Sequence, residues 1–310
     1  MRPELIQATE LLRRNTPEAV EQAIGLLQNT VYSFSMKVCG HREDAEDIMQ
    51  DVLFRSLTQL TRFPNPAMLA AWLYTVTRNR CRRVRRPRTA TAEKVLSFDE
   101  LMPNDAELHQ LLRDESESPE DKVLKAEEHN LLHQAVLRLP PTLRVVLVLR
   151  DMEELSTDLV AQILDLQPGT VGVRLHRARL TVRREMNHIL KVDPAKPVVP
   201  PLMAESTSKG RSKQLKRSPQ CRAFFAMLSD YLDGRVKPAT SGQIESHMSD
   251  CPNCIAFLHD LRTSIDRCRS LQAKCDPAVL SRLQVILTNE YLRVSGKSDE
   301  TRLSGSAHPG

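Results

Sequence analysis

Apolar residues recur along this chain at steps of three and four over long stretches, and alternating runs of the β type are nearly absent, so the pattern predicts an all-α fold. Residues 18–60 read as two helices. The second holds Ala45, Ile48, Val52 and Leu57 near one face and turns Asp44, Asp47, Gln50 and Asp51 mostly away. The FPNP sequence at 63–66 then breaks the chain. A third helix from about Ala67 aligns Leu69, Trp72, Leu73, Val76 and Val84, a phase that assigns Trp72 to core packing rather than to a stacking platform. That helix ends in RNRCRRVRRPR, with arginine at 78, 80, 82, 83, 85, 86 and 88.

Charge inverts over residues 89–121, which read as a flexible acidic linker with room for one short helix. Helical periodicity resumes from Lys122 through Leu124, Leu131, Ala135 and Leu139, Pro140-Pro141 opens a new helix, and short helices continue to about Leu190. Residues 191–217 combine Pro-rich and basic polar stretches that cannot bury a core, so they read as a second flexible linker. Ser218-Pro219 is an N-cap and first-turn pair opening a third unit, 218–291, and residues 292–310 form a polar tail expected to be disordered.

Composition narrows the classes. A chain of 310 residues accommodates two or three domains, and its net charge of +5 is unevenly placed. No apolar run approaches the roughly 20 residues needed to span a bilayer, and the N-terminus lacks the apolar core of a signal peptide, so a cytoplasmic protein without a membrane partner is expected. Seven cysteines at irregular spacing then point to thiols or metal ligands rather than a disulfide framework. No nucleophile–base pair, phosphate-cradling Gly loop or nucleotide motif appears, which argues against an enzyme.

Two segments carry chemistry. In residues 156–186 a short apolar helix with Leu159, Val160, Ile163 and Leu164 leads through Pro168-Gly169 into a second helix, the spacing of a helix-turn-helix. Val171, Leu175, Ala178 and Val182 share one face of that second helix. Val173, His176, Arg177 and Leu180 fall opposite, with Arg174 on a flank, where side chains reach base edges. Arg174, Arg177, Arg179, Arg183 and Arg184 supply charge for phosphates. In the third unit His247-Met-Ser-Asp-Cys251-Pro-Asn-Cys254 suits zinc, because two thiolates two residues apart and a His four positions earlier converge at a turn leading into a helix. A thioredoxin-like redox role for Cys251 and Cys254 needs a strand-to-helix junction that the region does not suggest. A zinc site acting as a thiol switch stays open. Cys39, Cys81, Cys268 and Cys275 read as ordinary thiols.

These segments resemble the extracytoplasmic-function sigma factors. GHREDAEDIMQDVLFRSL at 40–57 is similar to that family's Asp-Ala-Glu-Asp helix, WLYTVTRNRCRRVRR at 72–86 to its Trp-Leu…Arg-Asn helix, and 139–179 to its fourth conserved region, including Pro-Gly-Thr-Val and His-Arg-Ala-Arg. The resemblance implies two small helical sigma domains, 18–88 for core polymerase and the minus-ten element and 122–190 for the minus-thirty-five element. It assigns Asp44, Asp47, Gln50 and Asp51 to core RNA polymerase. It assigns Arg78, Asn79 and Arg82 to minus-ten DNA, and Thr170, Val173, Arg174, His176, Arg177 and Arg179 to minus-thirty-five DNA. Gly172 and Val173 stand where family members often place Lys, Arg or Ser, so the target promoter is not set by the resemblance.

CRAFFAMLSDYLDGRV and the later His–Cys–Cys run also resemble the zinc-binding anti-sigma domain, and by that similarity Cys221 joins His247, Cys251 and Cys254 around one zinc ion. The resemblance implies transcription initiation with core polymerase and promoter DNA as partners, modulated by the chain's own zinc domain in cis or by an anti-sigma protein. Two alternatives are a helix-turn-helix regulator that never docks on polymerase and a module that sequesters a separate sigma factor. The acidic helix at Asp44–Asp51 and the arginines of the third helix distinguish the first of these, because a repressor needs neither.

Overall fold

The computed structural model describes residues 1–57, 59–84, 96–102, 121–191 and 219–294. Among them every regular element is helical and no strand occurs, as the periodicity predicts. The helices are α1 (Pro3–Arg14), α2 (Pro17–Cys39), α3 (Arg42–Ser56), α4 (Pro66–Val84), α5 (Phe98–Leu101), α6 (Asp121–Arg138), α7 (Pro141–Leu147), α8 (Thr157–Leu164), α9 (Pro168–Lys191), α10 (Pro219–Leu232), α11 (Pro238–Asp250), α12 (Pro252–Ser270) and α13 (Pro277–Val294). A 3-10 turn at Leu60–Arg62 precedes α4 and a π-turn at Val148–Met152 follows α7.

Local chemistry explains the boundaries. The Thr16 side chain accepts from the Ala19 N–H, Pro17 sits in the first turn where no intrahelical donor is needed, and Gly40 closes α2 at φ 80° with its N–H donating to the Met36 carbonyl. Ser156 caps α8 by accepting from Leu159 N–H. Ser97 and Glu100 form a reciprocal capping box that fixes α5, the short helix expected within the acidic segment. The rest of that segment, the linker at 192–217 and the terminal residues 295–310 lie outside the described residues, as do Arg85, Arg86 and Arg88.

The chain forms two compact units. The first gathers α1–α4, the π-turn, α8 and α13; the second gathers α5–α7 and α9–α12. In the first, Leu5, Leu12, Ile24, Leu27, Phe34, Ile48, Val52, Leu69 and Leu73 are buried, so the apolar faces expected for α3 and α4 are the ones that pack. Val84 is the exception on α4: it is exposed, and the buried stripe runs through Leu69, Ala70, Leu73, Tyr74, Thr77 and Cys81. Trp72 is half-buried and packs on Phe63 at 5.2 Å between ring centroids. In the second unit a core joins Leu101 of α5, Leu180 of α9, Phe224, Phe225 and Leu228 of α10, Ile244 of α11 and Phe257, Leu261 and Ile265 of α12.

Three features depart from the sequence expectation. Helix α1 lies outside the elements expected, although Leu5, Ala8, Leu11 and Leu12 give it a continuous buried stripe. The boundaries drawn at 122–190 and 218–291 are crossed by the packing. The segment Val148–Pro168 joins the first unit, and so does α13, which lies against α2, with Gln284 donating to the Glu21 carbonyl (3.1 Å) and Tyr291 Oη bonded to Asn15 (3.2 Å). Among the described residues no helix is long and apolar enough to cross a membrane.

Phe257 sits at the centre of the second core, edge-on to Phe225 at 4.7 Å. Phe257→Ala is expected to lower the unfolding free energy of the second unit by about 3–5 kcal/mol, read as a fall in the urea midpoint.

Candidate nucleic-acid interface and metal centre

Helix α9 is the second helix of the predicted helix-turn-helix. Its inner face is the expected one: Val171, Leu175, Ala178 and Val182 are buried. The turn before it is made by Asp165, which closes α8 in the left-handed region at φ 55°. Thr170 and Val173 are exposed and Arg174 is half-buried, so the first turn of α9 keeps its side chains accessible.

Beyond that first turn α9 differs from the helical-wheel expectation. The face opposite the inner one is covered by α10 and α12. Leu180 is buried, and Arg179 and Arg183 are 0% and 1% exposed. The Arg179 Nη2 donates to Asp233 at 2.8 Å and its Nη1 to the Ser229 carbonyl at 3.4 Å. The Arg183 Nε donates to Asp260, and its guanidinium carbon lies 4.2 Å from the Phe257 ring centroid. Arg235 bridges Asp230 and Asp233 at 2.9 Å each, and Arg184 donates to the Glu100 carbonyl of α5 at 2.8 Å. Two carboxylates therefore occupy two guanidinium groups that charge alone assigns to phosphates. These pairs are desolvated, so removing either partner leaves an uncompensated buried charge, at about 3–5 kcal/mol.

His176 stands in the same covered stripe. Its Nδ1 lies 2.9 Å from Ser229 Oγ and its ring 5.4 Å from that of Phe98. Burial lowers its pKa from 6.5 to about 4, with Asp230 opposing the shift and Arg179 and Arg177 adding to it.

The remaining predicted residues are on α3 and α4. Asp47 and Gln50 are exposed and Asp44 and Asp51 half-buried, so the acidic side of α3 faces solvent as its periodicity requires. Asp51 pairs with Arg55 (2.8 Å) and with Arg80 (3.2 Å) of α4. Asn79 and Arg82 are exposed, whereas Arg78 is half-buried and donates to the Ile163 carbonyl of α8 at 2.8 Å.

The metal-type cluster is assembled by α10, the end of α11 and the first turn of α12. Cys221, His247, Cys251 and Cys254 each offer one ligand atom, and these atoms all lie within 4.8 Å of one another. Cys221 Sγ and Cys254 Sγ are 3.8 Å apart, and His247 Nε2 is 3.5 Å from Cys221 Sγ and 3.3 Å from Cys254 Sγ. A tetrahedral zinc with ordinary bond lengths has S···S edges of about 3.8 Å and S···N edges of about 3.6 Å, so the side chains are already spaced as its ligands. Pro252 starts α12 immediately after Cys251, which brings Cys251 and Cys254 onto the same turn. Burial and the neighbouring thiols push the Cys254 thiol well above its ordinary pKa, a charge problem that a divalent cation removes. Cys39, Cys81, Cys268 and Cys275 are buried away from this cluster.

Three segments of the chain match known families. Residues 24–91 match sigma-70 region 2, residues 129–182 match sigma-70 region 4, and residues 221–254 match a zinc-finger family. The chain is 25% identical over 178 residues to the ECF RNA polymerase sigma factor SigW of Bacillus subtilis, covering 57% of this chain and 94% of that one. It is 26% identical to the RNA polymerase sigma-H factor of Pseudomonas aeruginosa over 60% of this chain and 95% of that protein. A solved complex of the sigma factor RpoE with the anti-sigma factor NepR from Bartonella quintana aligns with 54% of this chain and 94% of its own at 23% identity, with a TM-score of 0.33. The two sigma-70 regions in their order define the class: the protein is a sigma factor. Extracytoplasmic-function sigma factors are among its relatives at about a quarter identity, and a zinc-finger domain lies at its C-terminal side.

His176 gives a pH test. Its folded pKa near 4 lies below the 6.5 of the unfolded chain, so its contribution is complete above about pH 6.5 and is lost as pH falls towards 4. The second unit should therefore lose up to about 3 kcal/mol of stability over that window. His176→Gln should flatten the loss, seen by comparing urea unfolding at pH 7 and pH 5.

Proposed function

We propose that this chain binds core RNA polymerase through the acidic side of α3, with Asp44, Asp47, Gln50 and Asp51 as contacts, and directs initiation at promoters. In this reading Arg78, Asn79 and Arg82 of α4 hold the minus-ten strand. Thr170, Val173, Arg174, His176, Arg177 and Arg179 of α9 serve the minus-thirty-five duplex. One zinc ion on Cys221, His247, Cys251 and Cys254 fixes α10–α12, and no step of the function needs catalysis by the chain.

The observation that carries the regulatory half is the burial of Arg179 and Arg183 on Asp233 and Asp260. A guanidinium enclosed against a carboxylate cannot reach a phosphate oxygen, and the electrostatic part of DNA affinity falls with each phosphate that the protein no longer neutralises. The zinc-finger domain thus acts on the sigma half as an inhibitor, by occupying the far side of the recognition helix. Zinc holds the inhibitor folded, because a cluster of thiols and imidazole drawn from two helix ends and a distant helix supplies folding energy only when its cation is bound.

The test is core-polymerase pull-down followed by run-off transcription on a genomic promoter pool. Wild type should retain polymerase; Asp47→Ala with Gln50→Ala should lose both polymerase and transcripts, and duplex binding without polymerase in wild type would favour a stand-alone regulator. Asp233→Asn with Asp260→Asn should raise affinity for the selected minus-thirty-five duplex by about tenfold or more, measured by fluorescence anisotropy at fixed salt. Removing the metal with a chelator should release close to one zinc per chain and raise the same affinity.

A further inference from the structure

Glu153 is a buried carboxylate with no place in the DNA-reading or metal chemistry, and it lies in the short connection between the π-turn and α8. Its side chain is 1% exposed, and both oxygens are engaged from another part of the chain. Lys37 Nζ of α2 donates to Oε1 at 2.8 Å, Tyr74 Oη of α4 donates to Oε2 at 2.8 Å, and Arg2 Nε approaches Oε2 at 3.1 Å. Arg2 also donates to the Met152 carbonyl from Nε (2.9 Å) and Nη2 (2.6 Å), and the terminal amine donates to the Glu154 carbonyl at 2.6 Å. The backbone is shaped for this contact. The π-turn widens the helix so that the Glu153 N–H returns to the Val148 carbonyl at 2.8 Å, and Glu154 takes a left-handed φ of 55° that a non-glycine residue seldom adopts.

Lys37 is fully enclosed, and Glu153 is the carboxylate that its ammonium bonds among the described residues, with Glu4 adding a weaker favourable field. Next to this cluster α8 packs on α4, and Arg78 of α4 donates to the Ile163 carbonyl at the end of α8. The first helix of the helix-turn-helix is thus in hydrogen-bond contact with the helix assigned to the minus-ten strand. The two promoter elements are separated by about 25 base pairs, or about 85 Å of duplex at 3.4 Å per pair. A first helix that crosses the DNA backbone beside its own site cannot do so while bonded to the other reader.

We propose that the ionic cluster of Glu153 with Lys37, Tyr74 and Arg2 is a latch that holds the start of the helix-turn-helix closed on α2 and α4, and that it must open before the two promoter elements can be read together. The proposal rests on the sigma-factor reading of the two domains. An ionic latch suits a switch better than an apolar seam, because both charges regain their hydration when the parts separate, so the closed state is specified without being irreversibly stable. It also acts apart from the covering of α9 by the zinc-finger domain, since none of its residues belongs to that domain.

The experiment measures the spacing between spin labels carried on non-canonical residues at Met68 of α4 and Asp158 of α8, both exposed positions, in the full zinc-loaded chain. Wild type should give one short distance. Glu153→Gln removes the carboxylate bonded to the enclosed Lys37 in the closed state and should move the closed-to-open ratio towards open by about a hundredfold or more. Arg2→Gln lies at the edge of the cluster, does not endanger folding, and should move it by about tenfold. Lys37→Met combined with Glu153→Gln should open the chain less than Glu153→Gln alone, because the stranded charge is gone. A single short distance in Arg2→Gln and in every folded Glu153 variant would overturn the latch and leave the cluster as fold stabilisation only. The pull-down separates the two ideas: failure of every variant and wild type to retain polymerase would refute the sigma reading, whereas the label distances report opening regardless of that result.

Discussion

The rest of the structure turns on the desolvation of two guanidinium groups. Arg179 and Arg183 lie on the far side of α9 from its own core, and a basic helix left to itself would keep them in water. Enclosing them is tolerable only because Asp233 and Asp260 are held opposite, with Ser229 and the Phe257 ring completing the surroundings. That requirement fixes the register of α10 and α12 against α9, places Leu180 in one core with Phe224, Phe225 and Leu261, and draws Leu101 of the acidic segment into the same cluster. The cluster of Cys221, His247, Cys251 and Cys254 joins the start of α10, the end of α11 and the start of α12, the elements next to Ser229 and the two aspartates.

The two halves of the promoter reader are held by different physics. The recognition helix is covered by an interface with an apolar centre and ionic edges. The entry to α8 is held by a single carboxylate that gathers an amine, a phenol and a guanidinium. Burial pushes the Tyr74 phenol well up and the Lys37 ammonium down, Glu153 adding to the first shift and opposing the second. The acidic side of α3 is left uncovered at Asp47 and Gln50, and Asn79, Arg82, Thr170 and Val173 are exposed as well, so the covering falls on the part of α9 beyond its first turn.

Much of this is legible in the chain. The three-to-four periodicity marks the helices, Thr16-Pro17 and Ser156 mark their starts, and His247, Cys251, Cys254 and the distant Cys221 converge as their spacing and family likeness imply. The inner face of α9 is readable because Val171, Leu175, Ala178 and Val182 are all apolar. Its second covered stripe, half-buried His176 with buried Arg179, Leu180 and Arg183, also runs at i, i+3, i+4 and i+7, yet three of its four members are polar and only Leu180 signals burial. The aspartates that complete it lie 54 and 77 residues further on, a pairing no local rule supplies. Glu153 is hidden for the same reason: in DMEEL it looks like a solvated acid, and only the tertiary approach of Lys37 and Tyr74 makes it a core residue. Helix α1 is written in Leu5, Ala8, Leu11 and Leu12, a buried stripe interrupted by enough polar residues to escape the periodicity that reads as helix from residue 18.

In the proposed inhibitory reading, helix α13 bears on where the zinc-finger helices go once displaced. It packs against α2, and only the six residues 271–276 join it to the end of α12. Displaced zinc-finger helices therefore stay attached to the chain that carries α9 instead of diffusing away, and a short tether gives an effective concentration on the order of millimolar. Inhibitor and target are then always present one to one, and the balance between covered and free recognition helix is independent of how many copies of the protein the cell makes. In that reading a signal works by changing the strength of the contact rather than the amount of inhibitor.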